Sequence, residues 1–196
     1  MALDFNNAGE QRSGDLMPDG TICPVHLTVR PGNSGEGGWL KRSKDGGSMS
    51  LDCEFTVTEG PHAKRKFWSL LLVEGTTEGH AKAAEISAAR IRAILESAYG
   101  IRPDDESDAA KNKRRLSNWG DLNDVRFIAK VGIEKGKDGY KDKNTLAEVI
   151  TPDRKQWLKI EQIAKQASSF APIGQAAAAV AAKAAPAAGK PAWATT

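Results

Sequence analysis

From Thr21 to Arg30, Cys23, Val25, Leu27 and Val29 alternate with Ile22, Pro24, His26, Thr28 and Arg30, the period of a half-buried strand. From Met49 to Thr58 the alternation is cleaner: Met49, Leu51, Cys53, Phe55 and Val57 point one way, and Ser50, Asp52, Glu54, Thr56 and Thr58 the other. A slip of one residue would bury Asp52 and Glu54, so the register is fixed by side-chain polarity. Lys66 to Val73 (KFWSLLLV) is apolar on both faces and predicts a more enclosed strand. Asp124 to Glu134 alternates again, with Val125, Phe127, Ala129, Val131 and Ile133 inward, and Asn144 to Ile150 supplies a shorter, mixed fifth strand.

Between the third and fourth strands the period changes. Ala81, Ala84, Ala88, Ile91, Leu95 and Ala98 step by three or four residues, with Ile94 beside them, and Lys82, Glu85, Arg90, Arg92 and Glu96 decorate the other side. The spacing predicts a helix over Glu78 to Tyr99, with Thr77 as N-cap, Gly100 as left-handed stop and Pro103 preventing resumption. Its alanine-rich stripe suits close approach to a sheet, so the helix reads as a plug. Three strands, a helix and two strands make the chain order of a mainly β, five-stranded OB-like barrel. Such a barrel presents an open strand face and two flanking loops to oligonucleotides.

The 196 residues suffice for one domain with extensions. The pattern predicts an N-terminal extension over residues 1–19, a nucleic-acid-binding domain over 20–167 and an Ala/Pro-rich, disordered low-complexity tail over 168–196. A short helix from Thr151 and Pro152 through Trp157, Ile160 and Ala164 precedes the tail. The most apolar run, Ala176 to Ala182, is far short of the about 20 residues that cross a bilayer. MALDFNNAGEQ has neither a basic nor an apolar leader region, so a cytoplasmic location without membrane association is expected. Cys23 and Cys53 both fall on inward strand faces and read as buried free thiols.

The net charge of +3 is modest, but its distribution is uneven. Residues 1–20 carry Asp4, Glu10, Asp15 and Asp19 against Arg12 alone, leaving the interior more basic. The loop PGNSGEGGWLKRSKDGG places Trp39 before Lys41, Arg42 and Lys44, and the hairpin EKGKDGYKDK places Tyr140 among Lys135, Lys137, Lys141 and Lys143. Lys64, Arg65 and Lys66 precede Trp68 on the third strand, and Lys130 lies on the fourth. Lysines and arginines that track phosphates, with aromatic faces that stack on bases, make the mixture that binds single-stranded nucleic acid. Trp39, Tyr140 and Trp68 are the candidate stacking residues, with the first two expected on one rim. The same residues also fit plainer roles: solvated hairpin turns, Trp39 folded back as a cap over the core, and Trp68 within it. The run Lys111 to Arg115 belongs to a short exposed helix after Asp108.

The segments MALDFNNA, LMPDGTICPVHLTVRPG, LDCEFTVTEGPHAKRKFW, GTTEGHAKAAEISAARIRAILES, FIAKVGIEKG and YKDKNTLAEVITPD, in that order, resemble a family of phage and prophage proteins catalogued as a domain of unknown function. The resemblance covers about residues 1–158. It implies a single-stranded DNA-binding protein with an OB-type barrel, acting in phage DNA replication or recombination within a bacterial host. Together with the loop chemistry, this predicts a coat on single strands without sequence preference. It carries over no catalytic motif.

Enzymatic readings have less support. Asp52 and Glu54 share a strand face, but Thr56 stands where a restriction-type nuclease needs a lysine, and the pair reads as a solvated strand surface. His26, His62 and His80 show no zinc-ligand spacing with Cys23 and Cys53, and GPHAKRK lacks the spacing of a P-loop. His80, near the helix start, fits either a phosphate contact or a plain surface role. No cofactor or metal is expected. The alternative class is a non-enzymatic adaptor of the replication or recombination machinery. Trp193, in the tail segment KPAWATT, is a candidate dock for a phage recombinase or polymerase.

Overall fold

The structure, a computed structural model, describes residues 15–137 and 139–157. Seven strands, β1 (Ile22–Arg30), β2 (Asn33–Ser34), β3 (Leu40–Arg42), β4 (Ser48–Val57), β5 (Lys66–Gly75), β6 (Arg126–Glu134) and β7 (Lys143–Ile150), form one antiparallel sheet. Two helices, α1 (Glu78–Tyr99) and α2 (Asp108–Lys113), lie between β5 and β6. The register follows side-chain polarity: Leu27 faces Phe55, Val29 faces Cys53, and Arg30 faces Asp52 across β1 and β4. Phe55 stacks on Phe67 at 5.1 Å between centroids and meets the Phe127 ring edge-on at 5.8 Å, so β4, β5 and β6 share one core.

The sheet runs β2-β3-β4-β1-β6-β7, with β5 on the other edge of β4. Since each ladder is antiparallel, β5 and β7 run parallel where the two ends of the sheet curl toward each other. Among the described residues no backbone ladder joins them. Instead the Ser69 hydroxyl bonds Thr145 Oγ1 at 2.8 Å and accepts the Leu146 N–H at 3.0 Å. The expected five-stranded closed barrel is therefore corrected in two respects. The sheet has seven strands, because the first loop folds back as the β2–β3 ribbon, and β5 and β7 are linked through side chains. At their N-terminal ends Met17 lies in the gap: its N–H donates to Asn144 Oδ1 at 2.8 Å while Asn144 Nδ2 donates to Met17 O at 2.9 Å. The Met17 side chain is fully buried.

Helix α1 has the expected limits because both caps are local chemistry. Thr77 Oγ1 accepts the His80 N–H at 3.1 Å, and Gly100 takes φ 67°. It packs against β5, β6 and β7. The buried face differs from the expected stripe: Ile91, Ile94 and Leu95 are buried, with Ser87, Glu96 and Ser97, whereas Ala81 and Ala88 are exposed. Ala84 and Ala98 are only half-buried, so the buried stripe lies along Ser87, Ile91, Ile94 and Leu95 rather than along the alanines.

Glu96 is 3% exposed and carries a charge into that interface. Arg92 Nε and Arg114 Nε both donate to its Oε1, at 2.7 and 2.9 Å. Arg114 also donates to the backbone oxygens of Arg102 and Asp105, tying down the segment between the helices. The expected short helix after Asp108 is present as α2, but Arg114 is a structural cation rather than part of a solvated face. Trp157 Nε1 donates to Ser97 O at 3.0 Å, and Ser97 Oγ accepts the Ile128 N–H at 3.1 Å. The expected C-terminal helix starts later than Thr151 and Pro152: residues 151–154 form a turn, and only Lys155, Gln156 and Trp157 of it are helical among the described residues. Its continuation, most of the N-terminal extension, the Ala/Pro-rich tail and Trp193 lie outside the described residues. No helix among the described residues is long and apolar enough to cross a membrane.

Candidate nucleic-acid interface

The outward face of β1, β4 and β5 is built by register. Thr28, Glu54 and Trp68 form one cross-strand row, and Arg30, Asp52 and Leu70 form the next. Trp68 is 44% and Leu70 59% exposed. The segment KFWSLLLV is therefore not enclosed: Phe67 and Leu71 fill the core, while Trp68 and Leu70 stand on the open face. Apolar residues on both sides of this strand do not mean burial on both sides.

Carboxylates anchor the cations on this face. Glu54 Oε1 accepts from Lys66 Nζ at 2.6 Å, and its Oε2 accepts from Trp68 Nε1 at 3.0 Å. The Lys66 hydrogen bond holds the Glu54 carboxyl below its ordinary value, against the opposing effect of burial. Asp52 Oδ2 accepts from Arg30 Nη2 at 2.8 Å and from Lys41 Nζ at 3.2 Å. Burial pushes the Asp52 pKa up, but these two cations outweigh it and hold the carboxyl low. The pair expected as a solvated strand surface is thus largely covered, because each carboxylate sits beneath a basic side chain.

A groove of about 390 Å³ opens beside β5 where the sheet fails to close. Arg65, Lys66, Trp68 and Leu70 line it from β5 and the turn before it, and Lys143 and Asn144 line it from β7. Three candidate cations and one candidate aromatic from separate segments therefore meet here.

Trp39 is elsewhere. It packs over the core against Gly120, where an added Cβ would sit 2.7 Å from the indole, and lines a second groove with Trp119, Leu116, Ala88, Ile91 and Leu95. The two grooves share no lining residue. Tyr140 is 81% exposed on the β6–β7 hairpin and lines neither. The expected rim shared by Trp39 and Tyr140 is corrected on this point. The 3₁₀ turn Glu36–Gly38 and the β2–β3 ribbon lay the indole against the core, so it caps apolar surface.

The remaining cations divide by partner. Lys135 bonds Asp142 at 2.7 Å, Lys143 lies 3.3 Å from Glu134, and Lys130 lies 3.4 Å from Glu148. Arg42, Lys44, Lys64, Arg65, Lys137 and Lys141 make no ion pair among the described residues. Arg42 lines a small cleft with Glu74 and Thr76, apart from both grooves. His80 packs on Gly75, so its imidazole supports the chain turn into α1.

Leu70 and Arg30 complete the face and Asn144 lines the groove; of these only Leu70 had a signal, as the second apolar residue on the outer side of KFWSLLLV. Both cysteines are buried free thiols, as their positions predict. Among the described residues no cluster of three or more His, Cys, Asp or Glu side chains is placed to hold a metal. No protein-family model matches the chain, and no curated protein matches it.

Proposed function

We propose that this chain binds single-stranded DNA, largely without sequence preference and without a catalytic step, on the outward face of β1, β4 and β5. The reading is carried by one observation: Trp68 is exposed on an open strand face, with Arg65, Lys66 and Lys143 around the same groove. An exposed indole offers a stacking platform, and the cations offer phosphate contacts. The strand order β5-β4-β1-β6-β7, with β5 and β7 as parallel neighbours and α1 packed against both, supports an open, OB-like arrangement of the strands. A role on strands exposed during phage replication or recombination accords with this reading and rests on the sequence resemblance.

The test is a fluorescence-anisotropy titration with a labelled single-stranded oligonucleotide, its duplex and the RNA equivalent over a range of salt. The single strand is expected to bind tighter than the duplex. If about four phosphates are neutralised, log Kobs should fall against log[salt] with a slope of about −3. Equal binding of duplex and single strand, or no dependence on salt, would overturn the proposal.

A second reading, an adaptor that binds a protein of the same machinery, is favoured by the apolar groove of about 690 Å³ between Trp39, Trp119 and α1. Loss of a partner on substituting Trp119, with oligonucleotide binding intact, would support it.

A further inference from the structure

The groove beside Trp68 has a floor that is chemically one-sided, and this bears on which bases it accepts. We infer that this groove favours a base carrying an exocyclic amino group, as in cytosine, adenine or guanine, over thymine or uracil, with Asp52 as the acceptor. The inference rests on the single-strand-binding reading and adds a modest base preference to it.

Asp52 lines the groove with Trp68 and Leu70. Its side chain is 10% exposed, and both of its cationic partners, Arg30 and Lys41, donate to the same oxygen, Oδ2. Among the described residues Oδ1 accepts no side-chain hydrogen bond. Glu54 differs, since Lys66 occupies one of its oxygens and Trp68 the other. Asp52 stands opposite Leu70, and Glu54 opposite Trp68, so Asp52 is the diagonal neighbour of the indole across the ladder. Diagonal neighbours lie about 7 Å apart, within reach of the edge of a base stacked on Trp68.

An ionised carboxylate only accepts hydrogen bonds. A base edge that presents N–H donors completes Oδ1, as when Asp or Glu accepts from cytosine N4. Where cytosine carries its N4 amino group, uracil and thymine carry O4, and at that position the contact becomes acceptor against acceptor. Arg65 and Lys143 at the groove margins offer the phosphate contacts, while Asp52 Oδ1 offers an acceptor on the floor.

The experiment compares oligonucleotides of about a dozen deoxycytidines or deoxyuridines, which differ at the amino or oxo group without the thymine methyl, by anisotropy at one ionic strength. The wild-type chain is expected to bind the cytosine strand about five-fold tighter. In Asp52→Asn the amide can both donate and accept, and the ratio should fall to about one. Reading the ratio removes any general affinity change caused by freeing Arg30 and Lys41. A strand of N4,N4-dimethyldeoxycytidine, which keeps the ring and lacks the donors, tests the same contact on the unaltered protein and should bind like the uracil strand. Equal affinity for cytosine and uracil strands, a preference that survives in Asp52→Asn, or undiminished binding of the dimethylated strand would each overturn the inference while leaving single-strand binding intact. Failure to bind any oligonucleotide would overturn both.

Discussion

The indole N–H of Trp68 donates to Glu54 Oε2 at 3.0 Å, and the two residues face each other directly across the β4–β5 ladder. The bond fixes the ring's position on a face where an exposed tryptophan would otherwise sample several rotamers. A ring held in this way loses little entropy when a base stacks on it.

Trp68→Ala should weaken binding of a single-stranded oligonucleotide by about 5- to 150-fold, the range for losing one stacked base. Its unfolding free energy should change by less than about 1 kcal/mol, because the side chain is half exposed. Trp39→Ala should do the reverse, costing about 2 kcal/mol in a urea titration through lost packing and leaving affinity unchanged. If Trp39→Ala abolished binding in a fully stable protein, the assignment of the two tryptophans would be wrong.

Glu96 is the buried acid on which Arg92 and Arg114 converge. Removing one member of a buried ionic group leaves the others uncompensated, so Glu96→Ala should destabilise by about 3–5 kcal/mol in chemical denaturation. Arg114→Ala should also release the 102–105 segment, visible as faster amide exchange there. A neutral result for both substitutions would show that the network contributes no stability.

Acid should weaken the β4–β5 face. Lys66 holds Glu54 below its unfolded pKa, and Arg30 and Lys41 do the same for Asp52 against the effect of burial. Depressed acids contribute stability that is complete above the ordinary carboxylate range and is lost as pH falls through their folded values. Urea midpoints should therefore drop on acidification below about pH 4, the usual carboxylate range. In Glu54→Gln the drop should be shallower, and an unchanged acid profile in that variant would remove Glu54 from the account.

Burial pushes the Cys23 thiol up to about 11 and Cys53 up to about 12. Almost no thiolate exists at pH 8, so a thiol reagent should label neither in the folded protein and both in denaturant. The two cannot pair with each other: Cys53 faces Val29, six residues along β1 from Cys23, which is about 20 Å of strand. Rapid native labelling would contradict the burial of both.

Local chemistry made most of the elements legible. Thr77 and Gly100 fixed both ends of α1, and alternation placed β1, β4 and β6 to within about two residues. The strands β2 and β3 were missed because two or three residues carry no readable period. The exposure of Trp68 was hidden for a different reason: period-2 reasoning tells which residues share a face but not whether a face is covered. The site was illegible as a unit because its walls come from distant positions, with Met17 joined to Asn144 and Ser69 to Thr145. Trp39 was misplaced since nothing in PGNSGEGGWLKR specifies the direction in which the ribbon folds.

Among the described residues, every hydrogen bond made directly between β5 and β7 runs through the Ser69 hydroxyl, which makes it a weak point. Deleting that oxygen with Ser69→Ala leaves every ladder intact yet unlatches the first edge from the last. The sheet is then expected to part along this line, β5 from β7, while the ladders through β4, β1 and β6 stay paired.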